Sequence, residues 1–210
     1  MGINRGPRLV LALLVAGAFA ASAWAQDQPE TAPAPATAPS AAKKPPPKHK
    51  HAAEPAAAVA GGAKPTLLGQ YGDWGAYTAS PGGKKICFTI AKPATSETNP
   101  PNRPRNPSYM FISTRPADKV SNEVSIVVGY PFKSSADATL AVGSTSFELY
   151  TQQDGAWIKN AAEEPKLVEA MRAGQNAVVK GISAKGTRST DIFSLKGLAQ
   201  ALDRSDQDCK

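Results

Sequence analysis

The chain has 210 residues and a formal net charge of +7, with two cysteines and two histidines. The charge is spread with mixed signs from residue 66 onward and concentrates in no cationic face there, which argues against nucleic acid as a partner. Both histidines, His49 and His51, fall in a low-complexity segment. The remainder therefore holds no imidazole for a Ser-His-Asp or Cys-His nucleophile or for a histidine-bound metal.

Residues 1–25 have the layout of a secretory signal. Arg5 and Arg8 precede an apolar run over residues 9–21, and Ala23-Trp24-Ala25 places small residues where a signal peptidase reads. The run is shorter than the ~18 apolar residues of a membrane span. Cleavage near Gln26 then leaves no transmembrane segment, and the expected location is the periplasm or cell envelope, with outer-membrane association or secretion as variants. Residues 26–65 are rich in Pro, Ala and Lys with almost no large apolar side chain, so a disordered linker is expected. Its Lys43-Lys44-Pro45-Pro46-Pro47-Lys48-His49-Lys50-His51 patch offers weak contact with anionic envelope polymers, or is a solvated spacer.

A folded domain is expected over residues 66–210. Residues 71–77 read as a turn entering a strand, with Trp74 as a core anchor. Residues 85–91 alternate, placing Ile86, Phe88 and Ile90 on one face and Cys87 on the other. Residues 91–107 are rich in Pro, Asn, Ser and Thr and read as a long exposed loop. Arg103 and Arg105 within it are the candidate interaction residues. Residues 109–114 form a strand, followed by the central one over residues 122–132. There Val124, Ile126, Val128 and Tyr130 share a face, Val127 points to a partly covered second face, and Pro131 ends the ladder near Tyr130.

Further on, residues 139–142 and 145–151 make a hairpin at Gly143-Ser144, and Asp154-Gly155 turns into a short strand over residues 156–158. Pro165 opens a short helix with an apolar stripe of Leu167, Val168 and Met171, and Gly174 stops it. Residues 177–182 and 187–195 form a second hairpin around Lys185-Gly186, and Leu198 and Leu202 mark a last helix. Many short strands with turn signals and two small helices predict a mainly β fold, a β-sandwich rather than a barrel.

In an oxidising compartment the even cysteine count points to a disulfide, with Cys87 and Cys209 the available pair; two free thiols are the alternative. Chain entropy puts so long a loop at about 4–5 kcal/mol. Carboxylate chemistry is the catalytic option left. Glu163 and Glu164 precede a helix, where acids suit the dipole, and Asp203, Asp206 and Asp208 form a loose acidic tail. Glu123 and Asp191 lie on strands, with Arg115 or Arg188 as expected partners.

Gly72-Asp73-Trp74, Cys87, Thr114-Arg115-Pro116, Asn122-Glu123-Val124-Ser125, Gly129-Tyr130-Pro131-Phe132, Asp154-Gly155-Ala156-Trp157 and Phe193-Ser194-Leu195-Lys196-Gly197 occur in that order, with Cys209 at the end. This series resembles the invasion-associated locus B family of bacterial envelope proteins. The resemblance implies an exported domain of immunoglobulin-like form, some of whose relatives are linked to host-cell invasion. It implies no catalytic residue and no cofactor. The reading is a non-enzymatic envelope binding protein with an envelope or host protein as partner. An accessory factor for envelope assembly and a carboxylate-based glycan hydrolase are the alternatives.

Overall fold

Eleven strands occur among the described residues, 62–210 of a computed structural model, most of them with apolar side chains at alternate positions. The expected signal peptide and nearly all of the linker, with His49 and His51, lie outside the described residues. The strands are β1 (Thr66–Tyr71), β2 (Trp74–Ala79), β3 (Ile86–Ala91), β4 (Thr95–Asn99), β5 (Tyr109–Arg115) and β6 (Val120–Val127). They continue with β7 (Ala138–Val142), β8 (Thr145–Gln152), β9 (Gly155–Ile158), β10 (Asn176–Ile182) and β11 (Arg188–Ser194). Helix α1 (Glu164–Ala173) lies between β9 and β10, and helix α2 (Leu198–Asp208) follows β11. No helix among the described residues is long and apolar enough to cross a membrane.

All pairings are antiparallel, and the strands form one sheet in the order β1-β2-β3-β5-β6-β9-β8-β7-β10-β11-β4. β4 follows β3 after only Lys92, Pro93 and Ala94, yet stands at the opposite end of that order. So short a connection requires the sheet to curl until its β11–β4 end stands beside β3. Two bonds seal this approach: Ala94 N–H donates to the Ile192 carbonyl at 2.7 Å, and Trp74 Nε1–H to the Ser194 carbonyl at 2.9 Å. The mainly β architecture with two helices is the expected one, and Trp74 is the fully buried anchor the sequence indicates.

The principal core fills the space so enclosed. Met110, Ile126, Leu140, Leu149 and Phe193 from the strands meet Leu167 and Met171 of α1 and Leu198 and Leu202 of α2, all fully buried. Cys87 faces this side and joins Cys209 with Cα atoms 5.9 Å apart, which pins the end of α2 to β3. Ile86, Phe88 and Ile90 project from the opposite face, as the alternation of the strand requires, and join Tyr77, Ala79 and Phe111 in a second cluster.

Two expectations are corrected. Residues 91–107 are not a loop throughout, because Thr95–Asn99 forms β4 and pairs with β11. This edge strand exposes both faces, so no apolar alternation marks it in the sequence. The central strand ends at Val127 rather than near Tyr130. Gly129 adopts a φ of 74°, and the Asn106 carbonyl would lie 2.1 Å from a Cβ built there, so the loop backbone closes against this glycine and ends the ladder.

Candidate functional site: a cationic cleft beside an internal ion pair

The segment from Pro100 to Asn106 and the β10–β11 turn from Ser183 to Thr187 stand on either side of a cleft of about 850 Å³. Its floor is Gly129, Tyr130 and Pro131, where the chain leaves β6. Each wall has a local cause. Pro100 and Pro104 stiffen the first. The second is a tight turn in which Thr187 N–H donates to Ser183 Oγ at 3.1 Å and Gly186 N–H to the Ser183 carbonyl at 2.8 Å.

Arg103 and Arg105, the two candidate interaction residues, have different surroundings. Arg103 is exposed on the cleft wall. Arg105 turns inward: its side chain is 11% exposed and its guanidinium forms a two-pronged ion pair with Asp191 of β11, which is 1% exposed. One prong, Nη1 to Oδ2, is 2.8 Å long, and Nη1 also donates to the Val128 carbonyl at 3.2 Å. Ser96 Oγ of β4 donates to Asp191 Oδ1 at 2.8 Å. Both carboxylate oxygens thus accept hydrogen bonds within the protein. The expected Asp191–Arg188 pairing is replaced by this one.

Tyr130 completes the floor. The Arg105 guanidinium stands 5.9 Å from its ring centroid, and its hydroxyl is hydrogen-bonded to Ser189 Oγ. Burial raises the Tyr130 hydroxyl above the usual tyrosine range, against the opposing effects of the Ser189 bond and the Arg105 charge. The phenol therefore stays neutral at physiological pH.

Because Asp191 neutralises Arg105, the free charge of the cleft comes from Arg103 and from Lys185 at the opposite turn, and no Asp or Glu lines it. Such an arrangement can hold a carboxylate, phosphate or sulfate by charge, beside proline and tyrosine surfaces for an apolar neighbour. Lys185 was legible in sequence only as part of a turn. Its exposed position at a hairpin tip facing the Pro-rich segment is a product of the fold.

The other carboxylates are elsewhere. Glu123 on β6 accepts from Arg115 Nη1 at 2.7 Å, the expected pairing. Glu164, at the start of α1, accepts the Val124 N–H at 2.7 Å and so ties the helix to β6, a role beyond the dipole expected for it. Asp203 and Asp206 both bind Arg172 of α1, at 2.7 and 3.3 Å, and Asp208 pairs with Lys85 at 3.1 Å. No group of three metal-binding side chains occurs among the described residues.

A search of curated proteins finds no match. Among solved structures, the crystal structure of invasion associated protein b from Bartonella henselae is similar at 19% identity and a TM-score of 0.49, covering 67% of this chain and 95% of that one. The profile described as Invasion associated locus B (IalB) protein matches residues 74–206, well over half of the chain and from the core tryptophan to the last helix, and the chain belongs to that family.

Proposed function

We propose that the protein is an exported, non-enzymatic binding protein of the bacterial envelope, and that the cleft between the Pro100–Asn106 segment and the Lys185 turn receives an acidic group of its protein partner. The carrying observation is that Arg103 and Lys185 both line the cleft and that no carboxylate lines it. Family membership supports the envelope setting, and the signal-like start of the sequence supports export. The carboxylates proposed for a glycan hydrolase, Glu123 and Asp191, are engaged by Arg115 and Arg105 on separate strands, which speaks against that reading.

A photo-crosslinking residue placed at Ala184, an exposed residue lining the cleft, in intact cells tests the proposal with both cations kept. A small set of envelope or host partners is expected, with yield falling at least tenfold when Lys185→Glu is added and the melting temperature unchanged. An undiminished yield would remove the cleft from the binding surface.

The accessory-factor reading draws on a different feature. β1 and β4 are the two ends of the sheet, so each leaves one row of backbone donors and acceptors open to an added strand. That reading predicts many crosslinked client chains rather than few, captured from β1 or β4 rather than from Ala184.

A further inference from the structure

The side chains that β7, β10, β11 and β4 turn away from the core line a groove of about 450 Å³ on the outside of the sheet. Val179, Gly181, Ser189 and Asp191 are the buried, inward positions of β10 and β11, so alternation sends Lys180, Arg188 and Thr190 outward. The registers place Thr139, Lys180, Thr190 and Glu97 side by side in one row across the four strands. At the β8 end, Asp137 precedes Ala138, the partner of Leu149, and so stands next to Tyr150. Tyr150 is 45% exposed and stacks on Trp157 of β9, with ring centroids 5.6 Å apart. Gly155 leaves room for that stack: a Cβ there would lie 2.3 Å from the Trp157 ring.

Charges of both signs are held apart in this groove. Lys180 and Glu97 are separated by β11, about 10 Å at the usual strand spacing. Neither of them, nor Arg188, has a side-chain partner among the described residues. Asp137 pairs with Lys159 at 2.9 Å. The lining holds two cations, Lys180 and Arg188, and two carboxylates, Glu97 and Asp137, so it carries no net charge. A polyanion or an acidic peptide gains nothing from such a balance. Ile182 is its one large apolar side chain, which leaves an apolar peptide anchor without a pocket. What matches is an uncharged ligand that both donates and accepts hydrogen bonds along its length and has an apolar face for an aromatic ring. An oligosaccharide has that chemistry, with hydroxyls for the row of Thr, Lys and Glu and ring C–H groups for Tyr150.

We propose that this groove binds a neutral oligosaccharide laid across the strands from Glu97 to Tyr150. Glu97, Thr190, Lys180 and Thr139 bond successive hydroxyls, and Tyr150, backed by Trp157, carries a sugar ring at the end of the row. The ligand is held and not cut. Glu97 and Asp137 are three strand spacings apart, about 14 Å, beyond the about 5–9.5 Å between the carboxyl groups of a glycosidase. This groove and the cationic cleft share only Thr98 among their lining residues, so failure of either reading leaves the other standing.

Titration of the isotopically labelled full chain with maltohexaose, cellohexaose and chitohexaose tests the proposal. Saturable amide shifts on β4, β7, β10 and β11 are expected with at least one of the three. Tyr150→Ala should weaken that binding about tenfold, the worth of one good aromatic contact. Lys180→Ala with Glu97→Ala should abolish it, with the melting temperature of each exposed-site variant unchanged. The absence of a saturable shift with all three sugars overturns the proposal. So does binding that maps to the Arg103–Lys185 cleft, or that persists undiminished in these variants. Preference for polygalacturonate, an anionic glycan, over all three overturns the neutral assignment.

Discussion

Asp191 keeps a negative charge inside the curled sheet because a segment rich in Pro, Asn and Ser turns Arg105 in to meet it. Removing one partner of a buried pair leaves the other charge uncompensated, and such losses run to about 3–5 kcal/mol. Arg105→Ala is accordingly expected to lower the free energy of unfolding by that amount, and the denaturant midpoint with it. The double change Arg105→Met with Asp191→Leu should recover most of it, since apolar residues of similar volume replace a buried pair at little cost. Urea titrations of the three proteins check this; a double variant as unstable as the single one would show that the pair does more than satisfy itself. Part of this pairing was legible. Arg188 and Asp191 are an odd number of positions apart on β11, so they occupy opposite faces and cannot meet. What the sequence does not display is that residue 105 passes close to residue 191, because that depends on the curl that brings β4 and β11 to the β3 side.

At the level of elements, alternation located the strands that bury one face, and the stripe of Leu167, Val168 and Met171 located α1. β1 and β4 escaped because edge strands bury little and need no apolar period. The contact between α1 and β6 shows how one side chain joins two such elements. Glu164 lies partly buried, and that burial raises its carboxyl above the ordinary value of 4.5, with the nearby Glu123 charge acting the same way and the Val124 N–H opposing. Between the ordinary value and the higher folded one, the native state binds more protons than the unfolded chain. Stability contributed at this site therefore falls as pH rises through that window and is not lost on acidification. Glu164→Gln keeps an oxygen to accept the Val124 bond while removing the charge. It should melt above the parent at neutral pH, with the gap closing below about pH 4. Melting curves across pH decide it; a gap that does not vary with pH would mean the difference arises from packing.

For the whole molecule, the curled sheet and the Cys87–Cys209 bond act together. The bond spans 122 positions and closes nearly all of the domain after β2 into one loop. By chain entropy, a Cys87→Ser, Cys209→Ser double variant should be less stable by about 4–5 kcal/mol, as read from denaturant titration of oxidised parent and variant. If the two proteins unfold at the same denaturant concentration, the contacts of α2 alone hold it in place. The pairing was legible because two cysteines leave one partner each. The strand order was not, since the place of β4 beside β11 is set by contacts between residues far apart in sequence.

That closed loop has a topological consequence for the cleft. A protease that cuts beside Arg103 severs the polypeptide inside a ring, so both pieces stay covalently joined through the disulfide. The nicked molecule keeps its mass apart from one added water, and the cut separates the fragments only after reduction.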